Sequence, residues 1–428
     1  MRRWRRRCQI ECGKVAVCSM RGANSAVQRE VNRAAVLRLL SQEGPLTRQD
    51  LSLRTGLTSG AMTNIIRYLM DDGIVRECPE ETITPEGGLG PGRRPIPLEL
   101  DVSSRLALGV SVSSAGVEIG LYNLGGDLLR EADWGAPGIR PEQFVDAVTA
   151  YASKVRSEVP FANERLMGAC VSVPGIVDTE RGVVKASPRI RWESVDLAQM
   201  LSSKLNTRCL IENSMRAWTA GEVLFSCGGR DESFIAVYAG DGIGASIVVN
   251  GETLPGGKFG AGELGHMVLD MQGPSCSCGS RGCLEAVASI DVFVNGVMEA
   301  TGLGQTVTNF DEKNDEHRHL FDVAARLVRE GNKDALRVAD ITAKYLATAI
   351  SNSINLLDPD HVIVTGPLFE IGPITERVRD YAAQMVFRGP GDIVTIRERP
   401  TDEHSWTRGA AAALFRKYFY TPASLVCS

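Results

Sequence analysis

The sequence predicts an α/β chain in two unequal parts, a small helical head carrying a wing and a larger body of two lobes. Three observations carry this. Between residues 27 and 70 the apolar positions follow a helical period, broken at Gly44-Pro45 and at Gly56. From residue 106 three strand-like runs succeed one another across short polar turns, and a helix and a wholly apolar strand come next. A fainter copy of that order begins at Phe234 and ends with a long helix and a buried strand. A hairpin sheet with crossover helices, given twice, is the arrangement of actin-like ATPases, a ribonuclease H-like fold with its ligand between the lobes.

Bulk properties narrow the function classes. A chain of 428 residues is too long for one ordinary core and predicts two or three domains. With 43% hydrophobic and 23% charged residues it reads as soluble and globular. A formal charge of −5 argues against wholesale coating of nucleic acid but leaves room for a local basic surface. No apolar run is long enough to span a bilayer, and the N-terminus lacks the apolar core of a secretory signal, so no membrane partner is expected. Eleven scattered cysteines with a metal-type cluster point to a reducing cytoplasm.

Residues 1–24 open with R-R-W-R-R-R and read either as a basic, disordered arm or as an artefact of start-site choice, with Met20 the true beginning. The head is expected over residues 25–100. Val31, Ala34, Ala35, Leu39 and Leu40 trace the apolar stripe of its first helix. Thr47 caps a second helix, with Asp50 three residues on as in a capping box, and Gly56 makes the turn. Thr58 caps a third helix that turns Ile65, Ile66, Leu69 and Met70 inward and Ser59, Gly60, Thr63 and Asn64 outward. Two short helices across a glycine turn form a helix-turn-helix, whose second member is the one expected in the major groove. Residues 72–75 then enter a strand, and residues 82–100, with G-G-L-G-P-G-R-R-P, suit the tip and return strand of a wing. Arg93 and Arg94 at that tip can lie on phosphates or enter a minor groove, while Arg48, Arg54 and Arg67 can reach the DNA backbone. The expected DNA-contacting set is therefore Arg48, Thr58, Ser59, Thr63, Asn64, Arg67, Arg93 and Arg94. A plain structural bundle is the alternative.

The body is expected over residues 101–428, with strand runs at 106–112, 117–123 and 127–130, a helix after Pro141 and an apolar strand over 167–173. The second copy places a hairpin at 234–240 and 245–250 around D-G-I-G, a helix at 337–357 and a strand at 361–364. Residues 415–428 carry no reading. Within the body, residues 260–286 bring Cys276, Cys278 and Cys283 together on a loop with Gly279 and Gly282, and His266 stands ten residues before the first of them. One His and three Cys make a closed tetrahedral set, which predicts a structural Zn2+ that activates no water. The alternative is that these cysteines are small buried hydrophobes. Glu263 and Glu285 flank the set, placed to accept hydrogen bonds from vicinal hydroxyls.

The elements G-E-L-G-H and C-S-C-G-S-R-G-C-L-E resemble the signature of the ROK family of sugar kinases and repressors, and the likeness spans about residues 106–414. In that family the Glu and His of the first element and the Glu of the second contact a sugar, which implies sugar-binding roles for Glu263, His266 and Glu285. The histidine would have one ring nitrogen on zinc and the other free for the ligand. The head likewise resembles the winged helix-turn-helix of ROK repressors, including a G-R-x-P wing, a domain that ROK kinases lack.

Family kinases carry D-x-G-G-T in the opening hairpin, where this chain has Ser111, Ser113, Ser114 and Ala115. The acid that organises the metal and the glycines that admit phosphate are thus both missing. Their E-N-D motif, whose Asp takes the hydroxyl proton, reads Glu212-Asn213-Ser214 here; Ser214 is no base, while Asn213 is kept as a sugar contact. Asp241 stands in the second phosphate loop where the kinases usually have Thr. The resemblance therefore implies no enzyme but a sugar-responsive DNA-binding transcriptional regulator, a repressor of carbohydrate uptake or catabolism genes. Its partners would be operator DNA and a sugar effector, and it would act as a homodimer or homotetramer. The alternatives are a sugar kinase carrying a DNA-binding head, and a sugar sensor acting through a protein partner.

Overall fold

The computed structural model describes residues 25–78, 96–226, 232–257, 260–311, 313–389, 391–402 and 404–422. The basic arm and the wing tip with Arg93 and Arg94 lie outside the described residues. The chain divides into two compact units, one of Met1–Arg105, Asn123–Gly125 and Leu414–Ser428, the other of Leu106–Tyr122 and Gly126–Ala413. The final stretch therefore groups with the head, where the sequence alone assigned it to the body.

In the head, α1 (Ser25–Glu43), α2 (Arg48–Thr55) and α3 (Ser59–Asp71) precede β1 (Val75–Glu77) and β2 (Leu98–Leu100). Thr47 caps α2 as expected: its hydroxyl accepts from Asp50 N while the Asp50 carboxylate accepts from Thr47 N. Gly56 then closes the helix in a left-handed conformation, with φ 70°. The strands pair antiparallel, Val75 opposite Leu100, and Leu46 bridges to Leu98. These are the two strands that flank a wing.

The core of the head differs from the predicted stripes in detail. On α1, Val36 and Leu37 are fully buried while Val31 and Ala35 are half-buried. The reason is that α1 packs on α2 and β2 and also meets the end of the chain. There the Arg38 side chain donates to the Tyr420 carbonyl at 3.0 Å, and the Arg33 guanidinium lies 5.7 Å from the Phe419 ring centre. On α3, Met62 is buried with Ile66 and Leu69, and Ile65 and Met70 are half-buried.

The first lobe of the body contains β3 (Leu106–Val112), β4 (Val117–Asn123), β5 (Leu128–Trp134), α4 (Pro141–Glu158), α5 (Ala162–Arg165) and β6 (Leu166–Val173). A separate three-stranded sheet of β7 (Ile176–Asp178), β8 (Val183–Ser187) and β9 (Trp192–Val195) follows, then α6 (Leu197–Leu205), β10 (Arg208–Asn213) and α7 (Ser214–Gly221). The second lobe contains β11 (Phe234–Ala239), β12 (Ile243–Val249), β13 (Glu252–Thr253), α8 (Leu284–Ala288), α9 (Ile290–Ala300), α10 (Asp315–Arg329), α11 (Lys333–Leu357), β14 (His361–Thr365), α12 (Gly372–Met385) and β15 (Ile396–Glu398). Helix α13 (Ser405–Tyr418) is the last element among the described residues.

The lobes are two copies of one plan. The first large sheet has the order β10-β6-β3-β4-β5 and the second β13-β12-β11-β14-β15. In each, the first strand of the meander lies between the second and a later, helix-connected strand with which it pairs parallel, and that strand in turn pairs parallel with the last one. The apolar run at β3 and the run at β14 are buried along their whole lengths, as expected of strands covered on both faces. Among the described residues no helix is long and apolar enough to cross a membrane.

Candidate functional site

The cleft between the two copies is a cavity of about 470 Å3, within the usual range for small-molecule sites. Its walls come from the ends of the strands: the β3–β4 hairpin, the start of α7, the β11–β12 hairpin, and the loop from Glu263 to Glu285.

That loop is mostly irregular. It holds its shape through a few backbone bonds, among them Leu269 N–H to the Gly282 carbonyl and Gly282 N–H to the Pro274 carbonyl, both 2.8 Å. Gly265 and Gly282 are required by close approach, since a β-carbon at Gly265 would sit 2.0 Å from the Ile243 oxygen and one at Gly282 1.5 Å from the Asp270 oxygen. A Gly282→Ala variant is expected to lose most of any bound metal, measured by elemental analysis after dialysis, because the loop must open to admit the methyl group.

The loop brings together the four predicted ligands. One donor atom from each of His266, Cys276, Cys278 and Cys283 falls within 4.8 Å of the others, a cluster that could hold a metal ion. His266 Nδ1 is 3.6 Å from Cys276 Sγ, and Cys278 Sγ is 3.7 Å from Cys283 Sγ. Burial pushes the Cys283 thiol up to about 12, whereas the Ser280 backbone N–H draws the Cys278 thiol down. With Nδ1 turned to the sulfurs, the other ring nitrogen of His266 is left for the cleft, which His266 lines.

The four predicted sugar contacts all line this cleft, in different states. Glu263 accepts no hydrogen bond from a described residue, and burial raises its pKa against the pull of His266 and Arg216. Glu285 uses one oxygen to accept from Ile243 N–H at 3.0 Å. Asn213 is largely committed to capping α7: its Oδ1 accepts from Met215 N and Arg216 N, and its Nδ2 donates to the Gly175 carbonyl at 2.9 Å. One amide hydrogen of Asn213 remains for a ligand. Glu212 does not line the cleft but pairs with Arg216, itself 6% exposed, at 2.6 Å.

On the other side of the cleft no acid stands at 111 or 214. Ser111 is 8% exposed, and the turn after it closes on itself: Ser113 N–H donates to Gly116 O at 2.9 Å and Ala115 N–H to Ser113 Oγ at 3.2 Å. The β11–β12 turn carries Asp241, whose carboxylate accepts from Tyr238 OH at 3.0 Å.

Arg189, which the sequence reading did not single out, reaches from the β8–β9 turn into the same place. Its Nη1 is 3.2 Å from the Asp241 carboxylate, its Nη2 donates to the Asp241 carbonyl, and Glu285 lies 3.8 Å away. Burial alone would lower its pKa, yet Asp241 and Glu285 hold it above the ordinary value. Lys313 was also missed; it ties the second lobe to the first by bonds to Glu118 at 3.0 Å and to both Asp133 oxygens at 2.8 Å. Neither residue belongs to a local motif, so no spacing announced it.

In the head, Ser59, Thr63, Asn64 and Arg67 are exposed on α3, with Arg67 donating to Asn64 Oδ1 at 3.1 Å. Thr58 is exposed too, its hydroxyl accepting from Ala61 N as the helix cap. Arg48 and Arg54 are half-exposed and paired within the head, Arg48 with Glu77 at 3.5 Å and Arg54 with Glu43.

Comparison with known proteins covers both parts. A family model described as ROK family matches residues 108–417, and one described as winged helix-turn-helix DNA-binding matches residues 31–76. The xylose repressor of Bacillus subtilis (strain 168) is 26% identical over 358 residues, covering 82% of this chain and 86% of that protein. The glucokinase of Thermotoga maritima is 33% identical over 255 residues, covering 57% of this chain and 78% of that enzyme. Among solved structures, a ROK family transcriptional regulator, homolog of the E. coli MLC protein, matches with a TM-score of 0.75 at 23% identity, over 91% of this chain and 96% of that one. That likeness establishes a shared fold.

Proposed function

Because the chain belongs to the ROK family, we propose that it is a sugar-responsive transcriptional regulator in which occupancy of the cleft changes the affinity of the winged head for operator DNA. One observation carries this reading: the sugar side of the cleft is furnished and the phosphoryl side is not. Glu263, Glu285, one amide hydrogen of Asn213 and a ring nitrogen of His266 offer acceptors and donors for hydroxyls. Opposite them stand Ser111 and Ser214, where the family's kinases carry the acid that organises the metal–nucleotide complex and the base that takes the hydroxyl proton, together with the carboxylate of Asp241.

The proposed division is a basic arm over residues 1–24, a DNA-binding domain over 25–100 and a ROK domain from residue 101, with residues 414–428 grouped with the head. The relatives that are repressors support the same role here, on genes for carbohydrate uptake or catabolism, in the cytoplasm where the operator is. A homodimer or homotetramer would set two heads on paired half-sites. The head would contact DNA through Ser59, Thr63, Asn64 and Arg67 on the exposed face of α3 and through Thr58 at its start. Arg93 and Arg94 on the wing, and Arg48 once released from Glu77, would reach phosphates.

The metal cluster fits zinc. Four-coordinate zinc with bonds of about 2.0–2.3 Å sets neighbouring ligand atoms about 3.5–3.8 Å apart, and the two ligand distances in hand are 3.6 and 3.7 Å. All four positions would be filled by protein, so the metal would pin the loop that carries Glu263, His266 and Glu285. The chain's own residues do the rest: they orient the hydroxyls and exclude the geometry of phosphoryl transfer.

A sugar moves the equilibrium between DNA-binding and DNA-releasing forms only by its preference for one of them. Fluorescence anisotropy with DNA from upstream of this gene and of the genes beside it, titrated with neutral sugars, tests the reading; an affinity indifferent to every sugar would remove it. The glucokinase relative favours a second reading, an active kinase with a DNA-binding head. A coupled ADP-release assay separates the two. We expect no sugar-dependent ADP release, and none after Ser214→Asp alone, because Ser111, Ala115 and Asp241 would still be in place.

A further inference from the structure

We propose that the cleft takes an unphosphorylated sugar, and that the Arg189–Asp241 pair keeps sugar phosphate esters out. This rests on the reading of the cleft as a sugar site and names the class of ligand it admits.

The charge of the walls comes first. The described lining carries six carboxylates, from Glu118, Asp241, Glu263, Glu285, Asp291 and Asp311, and a single Lys or Arg side chain, Arg189. A phosphate monoester brings a further charge of about −1.5 to −2 at neutral pH and needs cations or aligned N–H donors to receive it. Arg189 is not available for that role. Its guanidinium is already spent on the carboxylate and carbonyl of Asp241, with Glu285 beside it, and Tyr238 OH holds the Asp241 carboxylate in position.

Several backbone donors of the three turns that line the cleft are engaged as well. In the β3–β4 turn, Ser113 N–H, Ala115 N–H and Gly116 N–H bond within the turn. In the β11–β12 turn, Gly240 N–H donates to the Gly242 carbonyl at 2.9 Å and Ile243 N–H to Glu285. At the start of α7, Met215 N–H and Arg216 N–H are taken by Asn213 Oδ1. These are the places in the cleft where an anion would otherwise find a cradle. What the cleft offers in excess is acceptors, and sugar hydroxyls are donors. A neutral sugar satisfies the carboxylates of Glu263 and Glu285; an ester adds repulsion at its charged end.

Isothermal titration calorimetry on the full-length chain tests this with D-glucose and N-acetyl-D-glucosamine, each against its 6-phosphate, which keeps the pyranose ring of the parent. We expect at least one parent sugar to bind, and its ester to bind at least about tenfold more weakly, since ~1.4 kcal/mol of repulsion already gives that ratio. An Asp241→Asn variant removes the opposing charge and frees Arg189, and is expected to narrow the parent-to-ester ratio by about tenfold. An ester that binds the native chain as tightly as its parent overturns the inference and leaves the sugar-site reading intact. If neither parents nor esters bind, the sugar-site reading itself falls, and this inference with it. A ratio unmoved by Asp241→Asn in a variant that melts like the native chain removes Arg189–Asp241 as the excluding device.

Discussion

Replacing Cys278 with serine is expected to weaken metal binding at the cluster by at least about 10- to 100-fold, the range that follows loss of even the groups behind a metal ligand, and to weaken sugar binding about tenfold or more as the loop loses its pin. Little else holds the loop. Between His266 and Cys283 the chain forms single bridges, Val268 with Cys283 and Ser275 with Arg281, and no strand or helix longer than one turn. Val268 is 48% exposed and Met271 83%, and the apolar anchoring of the loop is confined to its first residues, where Met267 and Leu269 pack half-buried against the core. Cys278 is itself exposed, and its replacement should therefore spare the packing around Cys283, which is fully buried. Without the cation, His266 is free to turn and Glu263 loses its fixed place three residues upstream. Elemental analysis should show about one metal per native chain and well under that in the variant, and calorimetry should show the loss of affinity. Full metal content in the variant, or unaltered sugar binding without metal, would contradict the structural role.

The second large effect is expected at the wing. A double Arg93→Ala, Arg94→Ala variant should bind operator more weakly at every salt concentration. The slope of log K against log salt should flatten by about 1.8, at about 0.9 for each phosphate contact removed. Asn64→Ala on α3 should behave differently. If Asn64, exposed on α3, reads a base edge as proposed, its loss should cost about 1–3 kcal/mol on the cognate site while sparing non-specific DNA and leaving the salt slope unchanged. Anisotropy at several salt concentrations distinguishes the two. A wing variant with an unchanged slope would mean that the tip does not lie on phosphates.

What could be read from the sequence was what its chemistry encodes locally. The capping box at Thr47 and Asp50, the turn at Gly56 and the cap at Thr58 each involve residues three or four apart, and all three stand as expected. The four residues of the cluster that could hold a metal lie within eighteen positions, close enough for residue types and spacing to draw attention to them. The doubled plan of the body was visible because the meander and the buried strand recur in the same order.

Other features depend on contacts that no local pattern carries. The β7–β9 sheet was missed because its strands are three to five residues long and are interrupted by left-handed residues, Arg191 at φ 58° and Ser194 at φ 53°. Strand β5 runs on to Trp134, beyond the predicted end at residue 130, with Glu131 and Asp133 on its exposed positions, so its polarity hid it. Val36 and Leu37 of α1 are buried partly because the end of the chain returns to that helix over a separation of 382 residues. Arg189 is the functional instance of the same difficulty: it meets Asp241 across 52 residues and Glu285 across a longer gap.

The most direct measurement combines the chain, its operator DNA, Mg-ATP and the best-bound neutral sugar in one sample, with operator binding followed by anisotropy and the sugar recovered for mass spectrometry. Operator affinity should shift by about fivefold or more, the lower end of ordinary allosteric coupling, to the same extent with and without ATP, and the sugar should come back unmodified. A response that appears only with ATP, or recovery of the sugar as its phosphate, would contradict a regulator that signals by occupancy alone.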